Sequence, residues 1–469
     1  MAHRTLSLRA IFRSFPIGKV PDCYYDYIRG DITRDEFLAH PDVAEHARAA
    51  DQEARNATLG ETRPQDVDRW ISEAIGDSDP WVLIGGPPCQ AYSVVGRSRM
   101  RGKDPEAFEA DKRHFLYKEY LRIIRRFGPA IFVMENVKGM LSSTHGGNRI
   151  FEQILSDLSS PGNGLEYEIR SVVVSGDSST LNPNDFIIES ELFGVPQMRH
   201  RVILLGIRCD LAHIKHDKLR VAPGGRISVL KALSGLPALR SRLSREPDSH
   251  DTWLTAVKEA PARLGGWKHD LAAQVRNEME RAARWAEGNR MHGGRFVHGL
   301  FPMDAAMPKA LRDWYQDPRL GGVTLHETRR HMRSDIHRYL FASCFASQLV
   351  RSPKLSDFPP GLLPEHGNAS SEDAPFKDRF RVQVGYHPAT TVVSHIAKDG
   401  HYYIHPIPSQ CRSLTVREAA RLQTFPDNYF FEGNRTQQYT QVGNAVPPYL
   451  ARQLARIVFR FLARSHAEG

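Results

Sequence analysis

The alternation of apolar and polar positions along the chain predicts an α/β fold. Short apolar runs bounded by glycine, proline or charged residues predict buried strands at 81–84, 130–134, 172–174 and 202–207. Apolar residues at helical spacing predict amphipathic helices at 113–126, 414–424 and 447–462. Buried strands that alternate with helices are typical of doubly wound sheets, which bind their ligands at the carboxyl ends of the strands.

Two of the predicted strands are followed at once by reactive side chains. Cys89 comes after 81–84 through Gly-Gly-Pro-Pro, and Glu135 and Asn136 come directly after 130–134. If these two strands are parallel neighbours, the thiol and the carboxylate share one crevice. Taken alone, Cys89 fits a buried structural cysteine equally well, and a glutamate at a strand end is usually a helix cap or a surface acid.

Five blocks of the chain resemble, in order, the motifs of the cytosine-C5 DNA methyltransferases. They are Gly86–Ser93, which contains Cys89, and then Met134–Gly139, Gly194–Arg201, Leu414–Pro426 and Gln441–Pro448. One such block could arise by chance, but five in the family's order and spacing are hard to explain otherwise. The resemblance covers residues 55–210 and 385–460 and does not extend to the middle of the chain.

The resemblance implies a Rossmann-like, S-adenosylmethionine-dependent methyltransferase fold with a smaller inserted target-recognition domain. The predicted catalytic domain is 1–212, and 411–469 returns to it and ends in a helix. The composition changes between these parts, so 213–410 is the predicted target-recognition domain. Within it, 388–396 and 402–404 predict a β-hairpin around Lys-Asp-Gly.

The resemblance also implies roles for the residues at the predicted strand ends. Cytosine takes a methyl group at C5 only after a nucleophile has added to C6, and Cys89 is the implied nucleophile. Glu135 would hold N3 and its proton, and Asn136 would orient the site. Arg201, together with Arg199, would bond the O2 of the base. The two arginines are two residues apart, so they share one face of an extended segment.

A methyl donor and a DNA duplex are the implied ligands. S-adenosylmethionine would contact Glu61, Pro88 and Asn444, although Glu61 stands where the family has aspartate and could equally be a solvated loop acid. The segment after Cys89 is basic, and beside a nucleophile it would close over DNA. The DNA-contacting residues predicted here are Gln90, Ser93, Arg97, Arg99, Arg101 and Gln197. A solvated basic loop is the alternative for this segment.

The composition supports a nucleic-acid partner and argues against several other classes of protein. The net charge is +9, which suits a polyanionic ligand. Five cysteines without a C-x-x-C pair argue for a reducing compartment and against disulfides or a zinc site. The His- and Arg-rich segment 325–338 has irregular spacing, which favours a phosphate-facing or target-reading helix over a metal site, and no metal is predicted. No apolar run reaches the length of a membrane span, so we expect a cytoplasmic, nucleoid-associated enzyme of a restriction-modification system.

The first part of the chain departs from the family pattern. No glycine-rich cofactor turn precedes Cys89, and the helical pattern at 4–15 has no preceding cap. We therefore expect a chain that starts late: a fragment, a misplaced start, or half of a split enzyme with a complementary N-terminal polypeptide. Such a chain would bind S-adenosylmethionine weakly. The open alternatives are a catalytically impaired DNA-binding protein and a methyltransferase that acts on RNA cytosine.

Overall fold

The computed structural model describes residues 2–87, 115–142, 144–145, 148–364 and 379–468. The helices, in chain order, are α1 (Ala2–Ser14), α2 (Asp22–Arg29), α3 (Arg34–Ala39), α4 (Ala44–Glu53), α5 (Pro64–Ile75), α6 (Phe115–Phe127), α7 (Ile150–Ser159), α8 (Val229–Leu233), α9 (His250–Glu259), α10 (Ala272–Ala286), α11 (Lys309–Tyr315), α12 (Arg333–Leu349), α13 (Val416–Leu422), α14 (Arg435–Asn444) and α15 (Pro448–Glu468). The strands are β1 (Val82–Gly85), β2 (Ile131–Val137), β3 (Thr144–His145), β4 (Asn148–Arg149), β5 (Tyr167–Arg170), β6 (Ile187–Glu189), β7 (Gln197–Met198), β8 (His200–Arg208), β9 (Arg242–Leu243), β10 (Gly293–His298), β11 (Gly322–Glu327), β12 (Arg330–His331) and β13 (Ala389–Thr390). Across these ranges, no helix has both the length and the apolar character that crossing a membrane requires.

The chain divides into two compact units. The first consists of 1–54, 194–198 and 223–449, and the second of 55–193, 199–222 and 450–469. Residues 1–54 therefore group with the middle of the chain. Compact units need not coincide with functional domains, so the predicted boundaries after residues 212 and 410 stay a prediction.

The second unit is built on a mixed five-stranded sheet, in agreement with the predicted α/β fold. The strand order is β1-β2-β8-β5, and β6 also pairs with β8. β1 and β2 are parallel, whereas β8 is antiparallel to β2, β5 and β6. Fully buried side chains on one face of the sheet form a core, among them Phe132, Met134, Ile169, Val202 and Leu204.

β1 is the edge strand of this sheet. Within the described ranges it pairs with β2 alone, and Ile84 is 75% exposed. The run Trp81–Ile84 has the continuous apolar character of a strand that is covered on both faces. Its sequence is therefore that of a central strand, although it lies at an edge here.

The strand predicted at 172–174 is not formed. The strand in this region is β5, which ends at Arg170. Immediately afterwards, the Ser171 hydroxyl accepts hydrogen bonds from the backbone N–H groups of Val173 and Val174. These local bonds compete with a strand ladder and turn the chain. Residues 172–174 are apolar, as a strand requires, but the hydrogen bonds of Ser171 turn the backbone away from the sheet.

The predicted hairpin around Lys398 is also wrong. β13 pairs in parallel with β7 instead, and Ser394–Ala397 forms a 3₁₀ turn. Side-chain bonds replace the hairpin ladder, because Gln383 accepts from the Thr390 N–H and Gln197 accepts from the Val392 N–H. One of these glutamines, Gln197, is far away in the sequence, so a local turn signal cannot reveal this conformation.

α13 begins where the sequence predicts a helix, but it is buried on every face rather than amphipathic. Thr415 and Glu418 form a capping box at its first turn. Glu418 is 1% exposed and makes two 2.7 Å hydrogen bonds with Arg412, which is itself fully buried. On the same helix, Arg421 pairs with Asp427 at 2.8 Å. Arg412 and Arg421 can lie inside this unit because each has a carboxylate partner.

Burial by itself raises the pKa of Glu418. The charges and hydrogen bonds of Arg412 and His405 outweigh that effect and hold the pKa well below its usual value. A carboxyl group whose pKa is depressed by folding stabilises the protein above its unfolded pKa, and this contribution is lost as the pH falls through the folded pKa. The unfolded pKa of glutamate is about 4.3.

We expect Glu418→Gln to lower the free energy of unfolding by about 3–5 kcal/mol at pH 7, because it leaves Arg412 as an unpaired buried charge. Urea unfolding measures the change. The matched control is Glu287→Gln, which removes an exposed partner of Lys258 and should leave stability unchanged. The difference between wild type and Glu418→Gln should shrink as the pH falls below about 4. A constant difference down to pH 2 would contradict the role of the charge.

Candidate active site

The carboxyl end of β2 and the first residues of β8 bring two charged side chains together. In the antiparallel ladder, Val137 lies opposite Arg201, so Glu135 is the diagonal neighbour of Arg201 on the same face of the sheet. The Arg201 Nε lies 2.9 Å from a Glu135 carboxylate oxygen. Both side chains are mostly buried, at 16% and 22% exposure. From the strand ends, the sequence predicted a crevice for Glu135 and Cys89, whereas Arg201 was placed at the same base only by the family resemblance.

Burial lowers the pKa of the Arg201 guanidinium, and the neighbouring Glu135 carboxylate acts against that shift. The two groups offer a hydrogen-bond acceptor and a donor side by side. That arrangement complements the edge of a heterocycle in which a ring N–H stands next to a carbonyl. Such a pair can recognise a base and stabilise charge that develops in its ring.

The first residues after β1 contact Glu135 and Asn136 at the end of β2. β1 and β2 are in parallel register, with Gly85 opposite Met134, so the two strands end side by side. Asn136 is 3% exposed and donates its side-chain N–H to the Pro87 carbonyl at 3.1 Å. A Cβ on Gly86 would come within 3.2 Å of the Glu135 carboxylate. The described part of the loop therefore runs directly beside Glu135.

Seven predicted site residues lie outside the described ranges. They are Pro88, Cys89, Gln90, Ser93, Arg97, Arg99 and Arg101. The last described residue before them is Pro87, which is two positions from Cys89. Their roles stay predictions.

The remaining predicted base and DNA contacts are buried. Arg199 is 4% exposed, and its backbone N–H donates to the Ser190 hydroxyl. Gln197 is fully buried in the other compact unit, where its amide donates to the Leu422 carbonyl and accepts from the Val392 N–H. Both donor and acceptor ends of Gln197 are thus engaged within the protein, and its predicted DNA contact stays a prediction.

The described cofactor candidates are exposed polar residues. Glu61 lies in a turn before α5, in the same unit as Glu135. Asn444 is the last residue of α14 and belongs to the other unit. An exposed carboxylate and an exposed amide have the hydrogen-bonding chemistry that the hydroxyls and ring nitrogens of a nucleoside require. The side chains of Glu61 and Asn444 therefore have the chemistry to bind a nucleoside. The two residues belong to different compact units, and each is described within its own unit.

The sequence did not predict the contacts that hold the chain after β1 beside Glu135. It assigned Asn136 only a general orienting role, whereas the structure has it holding the backbone of Pro87 and, through Oδ1, its own neighbour's N–H at 2.8 Å. It also missed the close approach of Gly86 to Glu135. The paired glycines after β1 are the signal that could have found it, since glycine often marks a place where backbone approaches another group.

The comparisons with known proteins agree on one family. Residues 53–460 match the family model described as C-5 cytosine-specific DNA methylase. The type II methyltransferase M.Bpa9945I of Bacillus paralicheniformis is 36% identical over 80% of this chain and 69% of its own length. M.AgeI of Thalassovita gelatinovora is 27% identical, over 84% of this chain and 86% of its own. The DNA (cytosine-5-)-methyltransferase M.ApeKI of Aeropyrum pernix is 26% identical over 85% of each chain.

The match to the family model covers well over half of the chain, and it includes both strands that carry the Glu135–Arg201 pair. The chain therefore belongs to the C-5 cytosine-specific DNA methylases.

Proposed function

We propose that this chain methylates C5 of a cytosine in duplex DNA through a covalent adduct with Cys89. The observation that carries the proposal is the Glu135–Arg201 pair beside the loop that leads to Cys89. A base inside a duplex is out of reach of such a crevice, so the target cytosine is flipped out of the stack. The positive net charge supports binding to the phosphate backbone.

Each residue of the crevice has a separate role in activating the cytosine ring. The Cys89 thiolate adds to C6 and pushes electron density towards N3 and C5. Glu135 holds a proton at N3 and so stabilises the charge that develops there. Arg201, with Arg199, donates hydrogen bonds to O2. Asn136 is a positioning residue, because it fixes Pro87, two residues before Cys89 in the sequence, through the Pro87 carbonyl.

S-adenosylmethionine is the methyl donor that the family implies, and Glu61, Pro88 and Asn444 are the residues that would hold it. When bound, it supplies an electrophilic methyl group for the activated C5. Once C5 carries the methyl group, loss of its proton restores the double bond to C6, and the Cys89 thiolate leaves. No residue is assigned as the acceptor of that proton.

A further polypeptide beside β1 remains part of the proposal. The exposed Ile84 and the central-strand character of β1 support it, since an open edge accepts another strand. The middle segment 213–410 is the proposed target-recognition domain. Its composition differs from that of the flanking parts, and no catalytic block lies inside it.

DNA that carries 5-fluorocytosine at the target should trap the enzyme, because fluorine at C5 cannot leave as a proton does. With S-adenosylmethionine supplied in excess as the methyl donor, we expect the wild-type chain to form a complex with this DNA that survives denaturing electrophoresis, and Cys89→Ser to form none. Cys209→Ser removes an exposed cysteine instead and should trap as the wild type does. Trapping by Cys89→Ser would exclude Cys89 as the nucleophile.

We expect Glu135→Gln to slow single-turnover methyl transfer by about 10²–10⁴-fold, the usual size of a general acid–base contribution. DNA binding should change little, because the neutral amide keeps the shape of the side chain. Glu168→Gln is a close control, since Glu168 also pairs with an arginine on this sheet, at 2.7 Å and 29% exposure. It should leave the rate unchanged. A wild-type rate in Glu135→Gln, or an equal loss in both variants, would contradict the assignment.

Exchange of 213–410 for the corresponding segment of a family member with a different target should move the methylated site. Mapping of 5-methylcytosine in the genomic DNA of expressing cells measures the change, and the reciprocal chimaera serves as the control. A folded, active chimaera with unchanged specificity would show that the target is read elsewhere in the chain.

A further inference from the structure

A second cluster of charged residues lies where β6, the following 3₁₀ turn (Ser190–Phe193) and β8 meet. Glu189 ends β6 and is the direct cross-strand neighbour of His200, the first residue of β8. Glu191, in the turn, reaches the same place, and one of its carboxylate oxygens lies 2.9 Å from the His200 Nε2. One oxygen or nitrogen atom from each of the three side chains lies within 4.8 Å of the other two.

Glu191 has an unusual environment for a carboxylate. It is 2% exposed, and its Oε2 is buried without a hydrogen-bond partner in the described part of the chain. A buried carboxylate oxygen without a partner is costly, and a cation is one of the few things that removes the cost. Glu189 and Glu191 are close in sequence, but His200 lies on the partner strand, so this arrangement exists only once β6 and β8 have paired.

Two carboxylates and an imidazole form a common ligand set for divalent transition metals. Zn²⁺ binds carboxylate oxygen and imidazole nitrogen at about 2.0–2.2 Å, and its open sites have three protein ligands and one water. Ligand atoms around such an ion are about 3.3 Å apart, so the observed spacing requires small side-chain movements only. We propose that Glu189, Glu191 and His200 bind one divalent metal ion, with Zn²⁺ as the best match.

The proposed ion would connect three parts of the second unit. Successive residues of a strand point to opposite faces, so His200 lies on the face of β8 opposite to Arg201. A metal bound to His200 would fix the start of β8 on the face of the sheet opposite to the Glu135–Arg201 pair. The ion is therefore a structural support for the register of β8 and takes no part in the methylation chemistry.

Metal binding is measured on the full chain after treatment with EDTA, by titration with Zn²⁺ against a chromophoric chelator. We expect one site in the wild type that is lost, or weakened at least about 10–100-fold, in Glu191→Gln, His200→Gln and Glu189→Gln. Glu189 is only partly buried, so we expect Glu189→Gln to fold normally. Loss of metal binding in this variant therefore cannot be attributed to misfolding. Zn²⁺ should also raise the unfolding temperature of the wild type and not of these variants, because it binds the folded state.

Two controls separate this site from other histidines and cysteines of the chain. His466→Gln removes an exposed histidine of the same unit and should leave the site intact. Co²⁺ bound at the proposed site should give visible d–d bands without a thiolate charge-transfer band, because its ligands are oxygen and nitrogen. The proposal would be overturned by absence of tight binding in the wild type, by binding as tight as the wild type's in the three variants, or by a thiolate band that Glu191→Gln leaves unchanged.

Discussion

The pairing of β8 with its neighbours is the constraint on which the second unit depends. This nine-residue strand is antiparallel to β2, β5 and β6, so it joins most of the sheet. Its first two residues point to opposite faces, Arg201 towards Glu135 and His200 towards Glu191. A slip of one residue would exchange these faces and break both clusters at once.

The chain just after β1 is held by a side chain from the neighbouring strand. The Asn136 side chain is buried and bonds both to the Pro87 carbonyl and to the N–H of Val137. Its amide is therefore held at both ends, and the loop is attached to the strand that carries Glu135. Groups that are fixed before substrate arrives need no reorganisation during the reaction, which is the main source of electrostatic catalysis.

The other compact unit uses buried charge for a different purpose. Arg412 with Glu418, and Arg421 with Asp427, lie inside a core of aromatic and aliphatic side chains. Each pair satisfies the hydrogen bonds of a group that would be expensive to bury alone. Arg417 lies farther from its carboxylate, 3.9 Å from Asp427, and it also donates to the Thr324, Pro426 and Tyr429 carbonyls. The motif Leu414–Pro426 thus has a clear structural role in this unit.

The sequence by itself determined the α/β class, three of the four predicted strands of the sheet, and the candidates Glu135, Asn136 and Arg201. The strands and the first two candidates follow from local patterns, since apolar runs form strands and polar residues at strand ends face a common crevice. Arg201 became a candidate through the family resemblance. Only the tertiary structure decided the turn at Ser171, the pairing of β13 with β7, and the Glu135–Arg201 contact. It also brought together Glu189, Glu191 and His200, which the sequence did not connect. The β13–β7 pairing and the Glu135–Arg201 contact depend on partners far apart in the chain, and the free energy of such contacts arises only after the strands have paired. The turn at Ser171 is local instead, and the apolar pattern missed it because side-chain bonds from a serine compete with the strand ladder.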